Sequence, residues 1–225
     1  MDASQFQTFS EIFEKSLNLF SKDTSNDFYK KIWASKNSDT QLSSISQKQI
    51  LNVNSCVEKF ENIQTIHEQP NILETGGGLK NALPILGSNP VVTLNSDIIW
   101  IGSNPVGSLL KSWDPKKMDA LLMLIPIQNT KEYCGQGDFY LDSDNLLTRR
   151  GNKPNAPYVY TGAQIIKTEL LSNINEKSFS INLLWNKILN KKKAFGIVYD
   201  GSWIDVGHPK GIDTATKELL NNRNV

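Results

Sequence analysis

The stretch that decides the fold is "NILETGGGLKNALPILG" (residues 71–87), in which polar residues and three consecutive glycines precede an apolar helical pattern. Glycine lets a backbone approach a ligand closely and present its N–H groups. Residues 74–78 are therefore predicted to form a binding loop, with Lys80 projecting from the first turn of the following helix. The alternative is a plain strand-to-helix turn, and this segment alone favours neither. No glycine precedes Gly76, so an earlier phosphate-binding loop is not visible.

The composition of the 225 residues narrows the function classes. A formal net charge of +1 gives no bulk electrostatic case for binding nucleic acid or an anionic membrane. No apolar run approaches the roughly 20 residues that span a bilayer, and the start "MDASQFQTFSEIFEK" lacks the pattern of a secretory signal. Two distant cysteines and two histidines make a structural zinc site an unfavoured interpretation, so we expect a reduced, cytoplasmic protein.

The chain divides near residue 62. Residues 1–62 are predicted to be an atypical, helical N-terminal segment, because apolar residues such as Phe6, Phe9 and Phe13, and later Val53 and Val57, recur at three- and four-residue steps. Over residues 63–225, strand patterns alternate with helical ones, which predicts an α/β domain with a mainly parallel sheet. The predicted strands lie in "IQTIHE", "PVVTLNSD", "MDALLMLIPI", the hairpin "DFYLDSDNLLTRR", "YVYTGAQII" and "AFGIVYD".

Two carboxylates stand where such a fold binds ligands, beyond the carboxyl ends of strands. Asp97 follows the apolar run "VVTLN", and Asp205 lies in "GSWIDVGHP" just before a helix that Pro209 opens. Mg²⁺ is usually held by one or two carboxylates together with substrate phosphates, so both are candidate ligands of a shared metal. The alternatives are that Asp97 merely ends a strand or caps a turn, and that Asp205 belongs to a capping turn.

Three further positions are candidates for substrate contact. The pair Arg149 and Arg150 suits phosphate, although an exposed hairpin end is the simpler interpretation. Gly162 in "YTGAQ" would let a ligand ring approach the strand, or would mark a bulge. Asn182 would hydrogen-bond a sugar, or would be a solvated residue in the first turn of a helix.

Taken together and in this order, the segments are more specific than any one of them. "LETGGGLKNALPILG", "VVTLNSDIIW", "GQGDFYLDSDNLLTRRG", "YVYTGAQII" and "GSWIDVGHPKGIDTA" resemble the sugar-1-phosphate nucleotidyltransferases, most of all the N-acetylmuramate 1-phosphate uridylyltransferase branch. The resemblance covers about residues 63–220.

The resemblance implies a Rossmann-like, three-layer α/β fold and the Mg²⁺-dependent transfer of a nucleotidyl group from a nucleoside triphosphate, UTP favoured, to a sugar 1-phosphate. N-acetylmuramate 1-phosphate is the favoured acceptor, pyrophosphate is released, and the role is cell-wall sugar (peptidoglycan) recycling. By resemblance, Asp97 and Asp205 are catalytic and hold the metal. The residues expected to contact the nucleotide are Glu74, Thr75, Gly76, Gly77 and Gly78. Those expected to border the sugar-phosphate pocket are Arg150, Gly162 and Asn182.

The N-terminal part departs from the resemblance. Members of the family open with a strand, a Gly-rich loop that carries an Arg, and a Pro-Lys segment, whereas residues 1–75 contain no glycine and no Pro-Lys pair. Loss of one preorganised charge stabiliser commonly costs ~10²–10³ in rate. The alternative function is therefore a catalytically impaired or truncated relative that only binds nucleotide, sugar or a partner protein, and whether this chain alone is an active enzyme stays open at this point.

Overall fold

The computed structural model describes residues 50–53, 64–68, 71–87, 90–95 and 97–221. Most of the predicted helical segment, residues 1–62, lies outside the described residues. The prediction that places Val53 in a helix is wrong, because Ile50–Val53 is a strand that pairs in parallel with Gln64–His67. In chain order the elements are β1 (Ile50–Val53), β2 (Gln64–His67), α1 (Glu74–Leu86), β3 (Val91–Leu94), β4 (Ile98–Ile101), α2 (Pro105–Ser112), β5 (Ala120–Pro126), β6 (Thr130–Lys131), β7 (Phe139–Leu141), β8 (Leu147–Arg149), β9 (Tyr158–Ile166), α3 (Asn182–Asn190), β10 (Ala194–Val198), β11 (Ser202–Asp205) and α4 (Pro209–Asn221).

The largest sheet is mixed. Its strands run in the order β10-β5-β9-β7-β8, and β3 also pairs with β9. The β10–β5 pair is parallel, whereas β9 runs antiparallel to β3, β5 and β7. The α/β class is confirmed, and the sheet that the sequence predicts as mainly parallel is mixed among the described residues, where β3 pairs with β9 in the antiparallel sense. A parallel pair needs a long crossover, usually a helix, and the segment between β5 and β9 forms the β7–β8 hairpin instead.

A small second sheet was not predicted from the sequence. It has the order β4-β11-β6, with β11 antiparallel to β4 and parallel to β6. The sequence pattern indicates that Asp97 ends a strand, and it does not reveal that the apolar run after Asp97 is a further strand, β4. Of the two candidate metal ligands, Asp205 ends β11 of this sheet and Asp97 directly precedes β4.

The largest sheet is the middle of three layers, as the side chains of its strand β5 show. Alternate side chains of a strand face opposite sides of a sheet, and Leu122 and Leu124 pack in one apolar cluster with helix α3, while Leu121 and Met123 pack in another with Leu109 of α2. All of these side chains are buried, and each stabilises the fold by about 1.5–3 kcal/mol. Helices or loops therefore cover both faces, as predicted. Among the described helices, none has the length and apolar character to cross a membrane.

Candidate functional site

The two candidate metal ligands, far apart in sequence, lie close together at one end of the small sheet. Pairing of β11 with β4 places Asp205 opposite Ile98, the residue after Asp97, and the Val206 N–H donates to the Asp97 carbonyl oxygen at 3.0 Å. A Cβ built on Gly207 would lie 3.1 Å from Asp205 Oδ1 and 3.6 Å from Asp97 Oδ2. Both carboxylates therefore border the space that the missing side chain of Gly207 leaves free.

The charges of this pair favour a cation. Desolvation raises the pKa of Asp97, a hydrogen bond from its own backbone N–H opposes that rise, and the negative charge of Asp205 raises the pKa further. The Gly207 N–H donates to Asp205 Oδ1 at 2.9 Å. A cation between two carboxylates relieves their repulsion, so the pair and the space beside it fit a hard ion such as Mg²⁺. Within the described ranges, no cluster of three or more His, Cys, Asp or Glu side chains is arranged to hold a metal, which leaves further ligands to substrate and water.

The turn that carries Asp205 is fixed by a network around the start of α4. His208 Nδ1 accepts the Gly211 N–H at 3.2 Å, and its Nε2 lies 3.1 Å from the carbonyl oxygen of Glu132. A ring that accepts at Nδ1 carries its proton on Nε2, so Nε2 of His208 donates to the carbonyl oxygen of Glu132. The Glu132 carboxylate in turn binds Lys210 Nζ and Thr214 Oγ1, each at 3.0 Å.

Sequence reasoning missed this network. Glu132 adopts a left-handed backbone conformation, with φ 61°. The sequence around it contains no motif that predicts its contact with a residue more than seventy positions later. The only available signal was the position of His208 directly after the Asp205 turn.

The triple glycine lies in a helix, not in the predicted loop. Helix α1 begins at Glu74, and the three glycines are buried within it. The N–H groups of Gly76 and Gly77 both donate to the carbonyl oxygen of Phe179, at 2.9 and 3.0 Å. A Cβ on Gly76 would lie 2.5 Å from the Phe179 ring, and one on Gly77 would overlap the carbonyl oxygen of Lys177. The glycines thus permit close packing of α1 against residues 177–179.

Gly162 marks a bulge, as one of its two interpretations predicted. The β5–β9 register shifts between Leu122 and Leu124, and Gly162 has φ 86°. The Asn95 N–H donates to the Gly162 carbonyl oxygen at 2.8 Å, and a Cβ on Gly162 would lie 2.8 Å from Asn95 Cβ. Because Asp97 follows Asn95 by two residues, the bulge lies at the same end of the sheet as the carboxylate pair.

Arg149, not Arg150, reaches Asn182. Successive side chains of a strand point to opposite faces, and at the end of β8 this separates the two arginines. Arg149 Nη2 donates to Asn182 Oδ1 at 2.9 Å. Arg150 instead donates to the carbonyl oxygens of Gly137 and Lys153, at 3.0 and 3.2 Å, so in this structure its guanidinium holds the loop after β8.

A polar wall beside Asn182 was also missed. Trp185 Nε1 donates to Gln164 Oε1 at 2.8 Å, and Gln164 Nε2 donates to Thr93 Oγ1 at 3.0 Å. The Tyr160 ring packs edge-on against Trp185 at 4.8 Å. A buried glutamine inside the apolar strand "YVYTGAQII" was the signal that was available. The wall runs from β3 across β9 to α3.

Comparison with curated proteins finds relatives that match about two thirds of the chain. The chain is 35% identical over 145 residues to the N-acetylmuramate alpha-1-phosphate uridylyltransferase of Caulobacter vibrioides, across 64% of this chain and 60% of the relative. It is 26% identical over 147 residues to the enzyme of the same name from Neisseria meningitidis serogroup B, across 65% and 62%. The chain is a homologue of sugar-1-phosphate nucleotidyltransferases. A probable mannose-1-phosphate guanylyltransferase of Arabidopsis thaliana is also 26% identical, over 175 residues, across 73% of this chain and 51% of the relative.

Solved structures support the same nucleotidyltransferase fold. HddC from Yersinia pseudotuberculosis matches with a TM-score of 0.58 at 18% identity, across 76% of this chain and 77% of that one. A putative glucose-1-phosphate thymidylyltransferase from Bacillus anthracis matches with a TM-score of 0.55 at 15% identity, across 70% and 65%. No protein-family model matches the chain. This nucleotidyltransferase homologue spans about three fifths of the length of the first two curated relatives. The resemblance and the fold class predicted from the sequence are confirmed.

Proposed function

We propose that this chain transfers a uridylyl group from UTP to N-acetylmuramate 1-phosphate and releases pyrophosphate, as a cytoplasmic step in the recycling of peptidoglycan sugars. The observation that carries the proposal is the meeting of Asp97 and Asp205 around the open space at Gly207. The names of the relatives from Caulobacter vibrioides and Neisseria meningitidis support the choice of base and sugar.

In the proposed reaction, a phosphate oxygen of the sugar 1-phosphate attacks the α-phosphorus of UTP, and the bond from that phosphorus to pyrophosphate breaks. Such transfers depend on in-line positioning and charge stabilisation more than on covalent help from the protein. Asp97 and Asp205 would hold Mg²⁺, which when bound supplies positive charge to the phosphates. Gly207 keeps space beside both carboxylates, and Gly162 lets Asn95, two residues before Asp97, pack closely against β9.

The nucleotide side of the proposed site is the start of α1. Gly76, Gly77 and Gly78 are buried, whereas Glu74 and Thr75 are exposed. We assign direct nucleotide contact to the two exposed residues and a packing role to the glycines. The Thr75 hydroxyl already accepts the Ile181 N–H at 3.0 Å, so a nucleotide would meet a side chain that the protein holds in place.

A second candidate function is binding without turnover. It is favoured by the absence of a glycine and of a Pro-Lys pair from residues 1–75, and by the use of the Gly76 and Gly77 N–H groups within the protein. On this interpretation the chain binds the nucleotide, the sugar phosphate or a partner, but lacks the groups that stabilise the departing pyrophosphate.

One assay separates the two candidates. The purified chain is incubated with UTP, Mg²⁺ and N-acetylmuramate 1-phosphate, and pyrophosphate release is measured. Turnover that Asp97→Asn lowers by ~10²-fold or more, and that Asp144→Asn leaves unchanged, supports the transferase. Asp144 is the matched control because it lies in the exposed turn of the β7–β8 hairpin. Absent turnover with UTP binding retained in calorimetry would instead support the second candidate.

A further inference from the structure

Arg149 is a half-buried guanidinium that the protein holds in one orientation. Its Cζ lies 5.2 Å from the ring centroids of both Phe139 and Trp185. Its Nη2 donates to Oδ1 of Asn182 at 2.9 Å and to Oδ1 of Asn186 at 3.2 Å. Two aromatic rings and two amide groups thus preorganise the charge before any ligand arrives.

The charge of Arg149 has no ion-pair partner among the residues that the structure describes. Asp138 is the carboxylate that acts on it electrostatically, but Asp138 Oδ2 accepts the Tyr160 N–H at 2.8 Å. The hydrogen bonds of Arg149 to described residues all run through Nη2, which leaves its Nε and Nη1 donors for a ligand. Because a partly buried charge without a partner is costly, an anion bound here would gain a strong interaction.

Arg149 lies to one side of the proposed reaction centre. The Trp185 ring that it contacts packs 4.8 Å from Tyr160, and Gly162 follows Tyr160 by two residues, roughly 7 Å further along a strand. Gly162 then contacts Asn95, which precedes Asp97 by two residues. Trp185, Tyr160 and the bulge at Gly162 therefore separate the guanidinium from the carboxylate pair, and the proposal places the sugar ring between them.

We infer that Arg149 determines specificity by selecting sugar 1-phosphates that carry a carboxylate. The inference rests on the proposed function, since it assumes that the sugar phosphate lies between the carboxylate pair and Arg149. With the phosphate of C1 at Asp97 and Asp205, the far side of the sugar ring faces the guanidinium. N-acetylmuramate carries a carboxylate on its lactyl ether there, N-acetylglucosamine does not, and guanidinium geometry matches a carboxylate.

The test measures binding instead of turnover. Calorimetry, with Mg²⁺ and a non-hydrolysable UTP analogue, gives the affinities of N-acetylmuramate 1-phosphate and N-acetylglucosamine 1-phosphate. We expect the unmutated chain to prefer the acidic sugar by ~10–100-fold, the range of a charge-assisted hydrogen bond. Arg149→Gln should abolish this preference and leave the affinity for the neutral sugar. Arg149→Lys should keep only part of it, because an ammonium group lacks the planar fork.

Two further variants distinguish a loss of sugar selectivity from a general loss of folding. Asn186→Ala keeps Arg149 but removes one of its hydrogen-bond acceptors, and should lower the preference for the acidic sugar by roughly 3–10-fold, the range of one hydrogen bond. Lys153→Gln is the matched control, because Lys153 Nζ lies 4.2 Å over the Tyr140 ring and is exposed. It removes an equivalent charge and cation–π contact without changing the preference.

The outcomes separate this inference from the proposed function. Equal weakening of both ligands by Arg149→Gln would assign the residue to the phosphate and overturn the inference. So would an unchanged preference in a folded Arg149→Gln chain, or no preference in the unmutated one. Selective binding without pyrophosphate release would count against the transferase alone.

Discussion

The space that Gly207 leaves beside Asp97 and Asp205 can be closed with one methyl group. In Gly207→Ala, the new Cβ lies 3.1 Å from Asp205 Oδ1, so that carboxylate must move by a few tenths of an ångström, and 3.6 Å from Asp97 Oδ2. Mg²⁺ demands near-ideal geometry at about 2.0–2.1 Å. Changes just outside a metal's ligands typically cost 10–100-fold in affinity, or about 1.4–2.7 kcal/mol. We expect a loss of that size.

The assay is calorimetric titration with Mn²⁺, together with thermal unfolding. Gly207 is exposed and its φ is not positive, so alanine should change the stability by less than about 0.5 kcal/mol. Gly151→Ala is the matched control, since Gly151 has φ +58° and a Cβ added there would meet nothing within 4 Å. It should lower the stability by about 1–2 kcal/mol and leave metal affinity unchanged.

Two results would refute the reasoning. If Gly207→Ala binds Mn²⁺ as tightly as the parent while Asp97→Asn does not, the ion lies away from the space at Gly207. If neither substitution changes the affinity, the two carboxylates do not form a metal site.

Three further predictions concern stability and pH. Gly77→Ala should lower the free energy of unfolding by about 1–3 kcal/mol in urea denaturation, because its Cβ would overlap the carbonyl oxygen of Lys177. Trp185→Phe should cost about 1–3 kcal/mol beyond lost packing, because it leaves Gln164 Oε1 without its donor. Burial raises the pKa of Asp138. Stability from this group is therefore present below the unfolded pKa and is lost as pH rises through the folded pKa. In Asp138→Asn, urea melts between pH 4 and pH 7 should show a smaller fall than in the parent.

Each of these predictions has its own control. Asn81→Ala, on the exposed face of α1, should leave the stability within about 0.5 kcal/mol of the parent. Trp113→Phe should cost less than Trp185→Phe, because Trp113 Nε1 is buried without a hydrogen-bond partner among the described residues; equal losses would contradict the argument. Asp144→Asn, at an exposed turn, should follow the pH profile of the parent, and if Asp138→Asn does the same, burial of Asp138 is not what the profile reports.

Much of the fold was predictable because the elements carry strong local patterns. Strand β5 is an apolar run of strand length, and its burial on both faces follows from that run. The direction of β3 was not predictable, because an apolar run shows burial but not which neighbour it pairs with. The start of α1 was mistaken because glycine is a poor helix former, and only the packing against Phe179 explains three of them in a helix.

Some residues of the candidate site could likewise be predicted from the sequence, and others could not. Asp97 and Asp205 could be named as candidates because ligands of an α/β fold bind beyond the carboxyl ends of strands. The sequence could not decide which of Arg149 and Arg150 contacts Asn182, because the face of the sheet that each side chain occupies depends on where β8 ends. The role of Glu132 could not be predicted, because it contacts His208 and Thr214, which are distant in sequence and meet it only in the folded chain.

Because α1 packs against residues 177–179, substitutions at the glycines of α1 should also affect residues that follow this segment. That segment leads directly into α3, whose first residue, Asn182, anchors Arg149. Hydrogen bonds from Gly76 and Gly77 to Phe179 therefore couple the start of α1 to the start of α3. An enlarged side chain at either glycine would displace residues 177–179 and with them Asn182, so we predict that a change beside the proposed nucleotide contacts alters the proposed selection of the sugar.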